Sequence, residues 1–172
     1  MKHLKLQPSP LDPDAFKPFG DVIEAKAPKG YSINQGTATR FDDLAKIDVS
    51  TLGGRPLVNI FRGQPRKYLL EIKSLERHPL GSQTFIPLDK NPYLVVVALA
   101  KTTPKPDDLC AFLAAGDQGV NYRKGVWHHP LLTIKKPTDF LVIDRAGAGN
   151  NLDEIKISTN SLMITIEHTD IA

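Results

Sequence analysis

At 172 residues, with 41% hydrophobic and 24% charged side chains, the chain has the size and composition of one domain with a substantial core. Its 22 Lys and Arg against 19 Asp and Glu leave a net charge of +3, with no run of four basic residues, which speaks against a nucleic-acid partner. One cysteine rules out an intramolecular disulfide, and neither the first sixteen residues nor the longest apolar run, 94–100, suits a signal peptide or a bilayer span, so no membrane partner and a cytoplasmic location are expected.

Fourteen prolines and twelve glycines at short intervals favour many short strands over long helices. PLDPDAFKPFG predicts a single helical turn with Asp12 as N-cap and Pro13 at the first helical position, ended by Gly20 and followed by a strand over Asp21–Glu24. YSINQGTATRF comes next. Asn34, Gln35 and Arg40 offer donors there beside Gly36, where the backbone can approach a ligand closely, although an ordinary polar turn is the plainer reading. A short helical turn is expected around Asp42–Ala45.

From Pro56 onward β signals are dense: LVNIFRG, KYLLEIKSLERH, SQTFIPL, YLVVVALA, HPLLTIKK, DFLVIDR and SLMITIEH are each bounded by turn chemistry. Arg62 lies among apolar neighbours and, if buried, needs an internal carboxylate or an anionic substrate. Leu94–Ala100 is apolar without alternation, so both faces are expected to be covered, by a second subunit or by a helix; a homodimer is expected. Pro106–Ala115 reads as the one convincing helix, with Asp107 and Asp108 in its first turn, Gly116 after its end, and Cys110 as a buried structural thiol. Asp144–Glu154 reads as a loop. Seven or more strands with hardly any helix predict an all-β antiparallel sandwich or barrel.

Two stretches, ERHPLGSQTFIPL (76–88) and YRKGVWHHPLL (122–132), read as halves of one site. In an extended strand Glu76 and His78 share a face, and of the adjacent His128 and His129 only one can turn inward; His128 is the better placed. A carboxylate and two imidazoles meeting inside a barrel bind a divalent metal or shuttle protons. Gln83 belongs to the first cluster, with Gly81 and Ser82 as its turn. The plainer alternative is a solvated hairpin end. Lys124 and Arg123 are suited to clamp a carboxylate, or they face solvent. Trp127 walls a substrate pocket, or it packs the core with its indole nitrogen paired.

These two stretches strongly resemble the ureidoglycolate lyase family, formerly called ureidoglycolate hydrolases. PLDPDAFKPFGDVIE and INQGTATRFDDLA are similar to it as well, so the resemblance spans nearly the whole chain. Both stretches also look like degraded cupin motifs, with Glu76 at the first histidine position, His78 at the second, Gln83 in place of a Glu and His128 at the last. The resemblance implies one cupin-like domain over 1–172. It implies a divalent metal, nickel in that family, held by Glu76, His78 and His128, although imidazole and carboxylate suit Ni, Zn, Mn and Fe alike.

The implied reaction is cleavage of (S)-ureidoglycolate, a small anionic substrate, to glyoxylate and urea in allantoin (purine) degradation. Glu76 or His128 would take the hydroxyl proton, directly or with a metal's help, with His78 beside them. Lys124 would neutralise the carboxylate or assist the departing urea, with Arg62 as the alternative anchor. Asn34, Gln35, Arg40, Ser82, Gln83 and Trp127 complete the candidate substrate contacts. Competing readings are a cupin-like module that binds a small carboxylate without turning it over, an amidohydrolase releasing ammonia, and a metal-dependent oxygenase or isomerase, which Glu76 and Gln83 disfavour.

Overall fold

A computed structural model describes residues 2–26, 30–66, 70–157 and 162–166. The strand Tyr93–Ala98 organises it, because all six of its residues are buried. Alternate residues of a strand face opposite ways, so this strand must have a core on each side. Tyr93, Val95 and Val97 join a core with Phe16, Phe85, Phe112, Tyr122, Phe140 and Val142. Leu94, Val96 and Ala98 join a second core with Leu70, Ile72, Leu75, Trp127, Leu132 and Ile134.

The first core lies between two sheets. One runs in the order Asp153–Lys156, Ser74–Arg77, Trp127–His128, Tyr93–Ala98, Leu109–Ala114 and Ser9–Pro10, with Leu132–Thr133 also against Tyr93–Ala98. The other runs Gly20–Ile23, Gly119–Tyr122, Gln83–Pro87, Thr138–Ala146 and Arg55–Gly63. Pairing within these two sheets is antiparallel except between Leu109–Ala114 and Ser9–Pro10. Among the described residues the two sheets share no strand, so the all-β expectation takes the form of a sandwich and not a closed barrel. Aromatic edges lock the layers together: Tyr93 meets Phe140 at 5.0 Å and 80°, and Phe16 meets Phe112 at 5.7 Å and 82°. The predicted turn at Pro13–Phe16 forms, with the Asp12 carboxylate accepting from the Asp14 and Ala15 amides.

Four expectations need correction. Pro106–Ala115 is not a helix: its acidic residues cap a single 3-10 turn at Pro106–Asp108, and Leu109–Ala114 is a strand in full register with Tyr93–Ala98. Pairing with a buried strand outweighs good helix caps, because Leu109, Ala111, Phe112 and Ala114 then supply both cores. Cys110, near the start of that strand, is exposed, not buried. No helical turn forms at Asp42–Ala45. Finally, the outer face of Tyr93–Ala98 is covered by the chain's own second core, so its double burial does not call for a second subunit. Leu99 already lies outside it, 52% exposed.

Candidate functional site

The two motif segments are joined by backbone before any side chain is considered. Gly125, at φ 79°, closes the turn after Tyr122, and its N–H donates to the His78 carbonyl at 2.9 Å. His128 pairs directly with Glu76 across two antiparallel strands and with Val97 on its other side. Val97 faces the core between the sheets, so Glu76, His78 and His128 face it too, while Arg77 and Trp127 face the opposite way. The alternation read from the sequence is what the fold uses.

Ligand atoms of Glu76, His78 and His128 lie within 4.8 Å of one another. The Glu76 carboxylate is 3.5 Å from His128 Nε2, and the two imidazole centroids are 5.3 Å apart. Both rings are held by their other nitrogen. His78 Nδ1 donates to the Asn151 carbonyl at 2.7 Å, and His128 Nδ1 donates to the Val126 carbonyl at 3.0 Å. A carbonyl oxygen only accepts, so each Nδ1 carries a proton and each ring turns its Nε2 inward. Tyr122 stacks flat on His128 at 4.2 Å and 12°, fixing its plane.

Both Nε2 atoms are buried without a hydrogen-bond partner. Two imidazole nitrogens and a carboxylate converge. This donor set fits a divalent cation. Histidines oriented by backbone carbonyls are the usual support for such ligands.

Electrostatics prepare Glu76 as a proton acceptor. Burial pushes its carboxyl upward, but the facing His128, reinforced by His78 and His129, outweighs that and leaves it below the ordinary carboxylate range. His129 sits on the opposite strand face, where burial holds it below the ordinary histidine value.

The facing sheet contributes two residues that sequence reading passed over and one that it named. Gln83 is buried directly opposite Tyr122 in register, so it shares the inner face. Asp144 accepts from Asn59 Nδ2 at 3.3 Å, and its strand pairs with the one that carries Gln83. Burial raises the Asp144 carboxyl, opposed by the charge of His78 and by the amides of Gln83 and Asn59. Asp144 is in the Thr138–Ala146 strand and not in the loop that the glycines after it suggested. The DFLVIDR alternation places Asp144 in line with Phe140 and Val142, a signal that was available.

Other candidates stand elsewhere. Lys124 Nζ is 3.1 Å from the Asp48 carboxylate and 3.1 Å from the Thr51 hydroxyl. With Lys46, Asp48, Ser82 and Arg123 it lines a separate recess of about 230 Å³. Ser82 exchanges hydrogen bonds with Asp48, its N–H donating to the Asp48 carbonyl and its hydroxyl accepting from the Asp48 amide. Arg62 is exposed and paired with Asp139 through two 2.7 Å hydrogen bonds, so it is not a buried cation awaiting substrate. Trp127 is buried in the second core, donating to the Thr102 carbonyl at 2.9 Å with Arg77 stacked 4.5 Å from its ring, on the face away from Glu76, His78 and His128. Asn34, Gln35 and Arg40 are exposed on the small hairpin Tyr31–Ile33/Ala38–Arg40, where Arg40 pairs with Asp42 at 3.4 Å.

Comparison with known proteins gives a single theme. The sequence profile of the ureidoglycolate lyase family matches residues 3–165. A ureidoglycolate lyase of Burkholderia mallei is 56% identical over 154 residues, covering 90% of this chain and 89% of the relative. One of Pseudomonas paraeruginosa is 50% identical over 154 residues, 90% of each chain. One of Pseudomonas syringae is 46% identical over 164 residues, 95% of this chain and 96% of the relative.

Proposed function

The chain belongs to the ureidoglycolate lyase family, and from that premise we propose that it cleaves (S)-ureidoglycolate to glyoxylate and urea as a step of allantoin degradation. The observation that carries this reading is the full-length family match, joined to a convergence of one carboxylate and two oriented imidazoles.

The chemistry needed is modest. The substrate carbon bears a carboxylate, a hydroxyl and a ureido nitrogen. As the hydroxyl oxygen loses its proton, its electrons form the new carbonyl of glyoxylate, the carbon–nitrogen bond breaks, and the nitrogen takes up a proton to leave as urea. The net change moves one proton from oxygen to nitrogen, so one group can take it and return it. Glu76 is suited to this transfer, because it is ionised at neutral pH and retains a second oxygen when one is engaged. His78 and His128 orient the reacting oxygen, and the flat contact with Tyr122 limits the motion of His128.

Glu76, His78 and His128 would hold the divalent ion, nickel by family likeness, which when bound polarises oxygen as a Lewis acid. The sandwich with its histidines on the inner face supports a cupin-like classification. We place the protein in the cytoplasm, where an exposed lone thiol such as Cys110 stays reduced.

A homodimer is proposed through the outer face of the second sheet. There Val58 pairs with Ile143, and Ile60 with Leu141, which pairs on its other side with Ile86, leaving Val58 71% and Ile60 57% exposed. Light scattering after size exclusion should give twice the chain mass, falling to the chain mass in a Val58→Lys, Ile60→Lys variant. A monomeric wild type removes the proposal.

Function is tested by incubating purified protein with racemic ureidoglycolate and assaying glyoxylate, urea and ammonia. One urea per glyoxylate, above spontaneous decay, is expected. Ammonia in place of urea would make it an amidohydrolase, and no excess over decay would make it a binder.

A further inference from the structure

The recess of about 230 Å³ at Lys46, Asp48, Ser82, Arg123 and Lys124 plays no part in the chemistry above. Ser82 immediately precedes Gln83, and Arg123 immediately follows Tyr122, the two residues that face the core. Alternation sends their neighbours the other way, so recess and triad lie on opposite sides of these strands. The loop that closes the recess is pinned to the sheet. Asn121 Nδ2 donates to the Lys46 carbonyl at 3.0 Å, and the Ser82 N–H donates to the Asp48 carbonyl at 2.8 Å.

Its charges are unequal. Asp48 is paired with Lys124 at 3.1 Å. Asp21, the other carboxylate at hand, accepts from the Lys46 amide at 3.1 Å and from Asn121 Nδ2 at 2.9 Å. Among the described residues, neither the Lys46 ammonium nor the Arg123 guanidinium has an ion-pair or hydrogen-bond partner. A fourth cation lies beneath. Arg145 is 7% exposed, and among the described residues its guanidinium donates only to carbonyls, those of Thr51 at 2.6 and 3.1 Å and of Ala148 at 2.9 Å. Thr51 links it to the recess, because the Thr51 hydroxyl accepts from Lys124 Nζ. Four cations against two carboxylates leave two positive charges over, and the charge of Arg145 is too deep for salt to screen well.

Ser82 points to the same conclusion independently. It is 2% exposed, and its hydroxyl accepts from the Asp48 amide at 2.9 Å. A hydroxyl also donates, yet among the described residues its proton has no acceptor. A buried donor without an acceptor, in a recess with excess positive charge, suits a ligand that accepts hydrogen bonds and is negative.

We propose that this recess is a second binding site, for a small doubly charged oxyanion of the phosphate or dicarboxylate kind, held by Lys46, Arg123 and the Ser82 hydroxyl while Lys124 neutralises Asp48. Arg123 offers a planar fork to two oxygens, and Lys46 a point charge. Two negative charges match the excess, whereas ureidoglycolate carries one. Neither the lyase reading nor the metal is needed for this site.

The test is calorimetric titration of inorganic phosphate, oxalate and acetate into the purified protein at fixed ionic strength. Phosphate or oxalate should saturate at one per chain, and acetate should bind at least about tenfold more weakly. The tighter of the two dianions names the ligand class. Lys46→Gln and Arg123→Gln should each weaken that dianion by about tenfold or more, and Ser82→Ala by about 3- to 10-fold. The first two change exposed side chains and keep the fold, which thermal melting checks, so they decide the matter if Ser82→Ala fails to fold. His78→Ala should bind the dianion as the wild type does. Absence of saturable binding, equal affinity for acetate, or undiminished affinity in both cation variants overturns the site. Loss of binding in folded His78→Ala places the dianion at the triad and overturns it as well.

Discussion

Replacing Glu76 by Gln preserves the shape of the side chain and removes its capacity to accept a proton. The structure sets the size of the effect. Positioned proton transfer contributes about 100- to 10,000-fold in rate. Glu76 is held below the ordinary carboxylate range by its imidazole neighbours, so it is permanently ionised at neutral pH but is a weaker base than a free carboxylate. The lower half of that range therefore applies: kcat should fall about 100- to 1,000-fold, a barrier increase of about 3–4 kcal/mol. The fold should survive, because the side chain is 20% exposed and Gln keeps an oxygen for His128, limiting the loss of stability to about 1–2 kcal/mol. Glyoxylate release, followed as its phenylhydrazone and corrected for spontaneous decay, measures kcat, and thermal melting measures the fold. The acid limb of the wild-type pH–rate profile should lie below the ordinary carboxylate pKa and should vanish in the variant. A folded Glu76→Gln enzyme within about threefold of the wild-type kcat would refute the assignment of the base.

Trp127→Phe should lower stability by about 1–3 kcal/mol, since it deletes the bond to the Thr102 carbonyl, yet leave KM unchanged because the indole faces the second core; urea denaturation and steady-state kinetics read the two effects. Arg62→Ala should leave kcat/KM unchanged, its guanidinium being exposed and already engaged by Asp139; a marked rise in KM would restore it as a substrate anchor. Acidification should destabilise the protein through His129. Burial lowers its folded pKa, so between that value and its unfolded value the unfolded chain binds the extra proton, and stability falls as pH drops through this window. The urea midpoint should decline between about pH 7.5 and about pH 5.5, and decline less in His129→Asn.

Strand periodicity was enough to put Glu76 and His78 on one face with Arg77 on the other, and to let only one of His128 and His129 turn inward; the turn at Gly125–Trp127 singled out His128. The same periodicity was legible in LCAFLAA, but the acidic residues and the following glycine imitated helix ends. Only the six-residue register with Tyr93–Ala98 shows why the strand prevails. Long cationic side chains mislead in a different way. Arg62 and Lys124 read as partners of an anionic substrate, yet each has an internal carboxylate, Asp139 and Asp48, distant in sequence.

The amino-acid order alone determined the all-β class, the inward and outward alternation of each strand, and the family likeness carried by the two motif segments. Those properties are local: φ/ψ preference and side-chain direction are set within a few residues. Tertiary structure decided that the second core belongs to the same chain, that the two sheets share no strand among the described residues, and that Asn59 and Asp144 bond on strands that lie beside the one carrying Gln83. These depend on which strands become neighbours, and that is fixed by the burial of whole faces and not by any short segment. Asp144 shows the difference: it stands far from Gln83 along the chain, and the two come near one another only because their strands lie side by side.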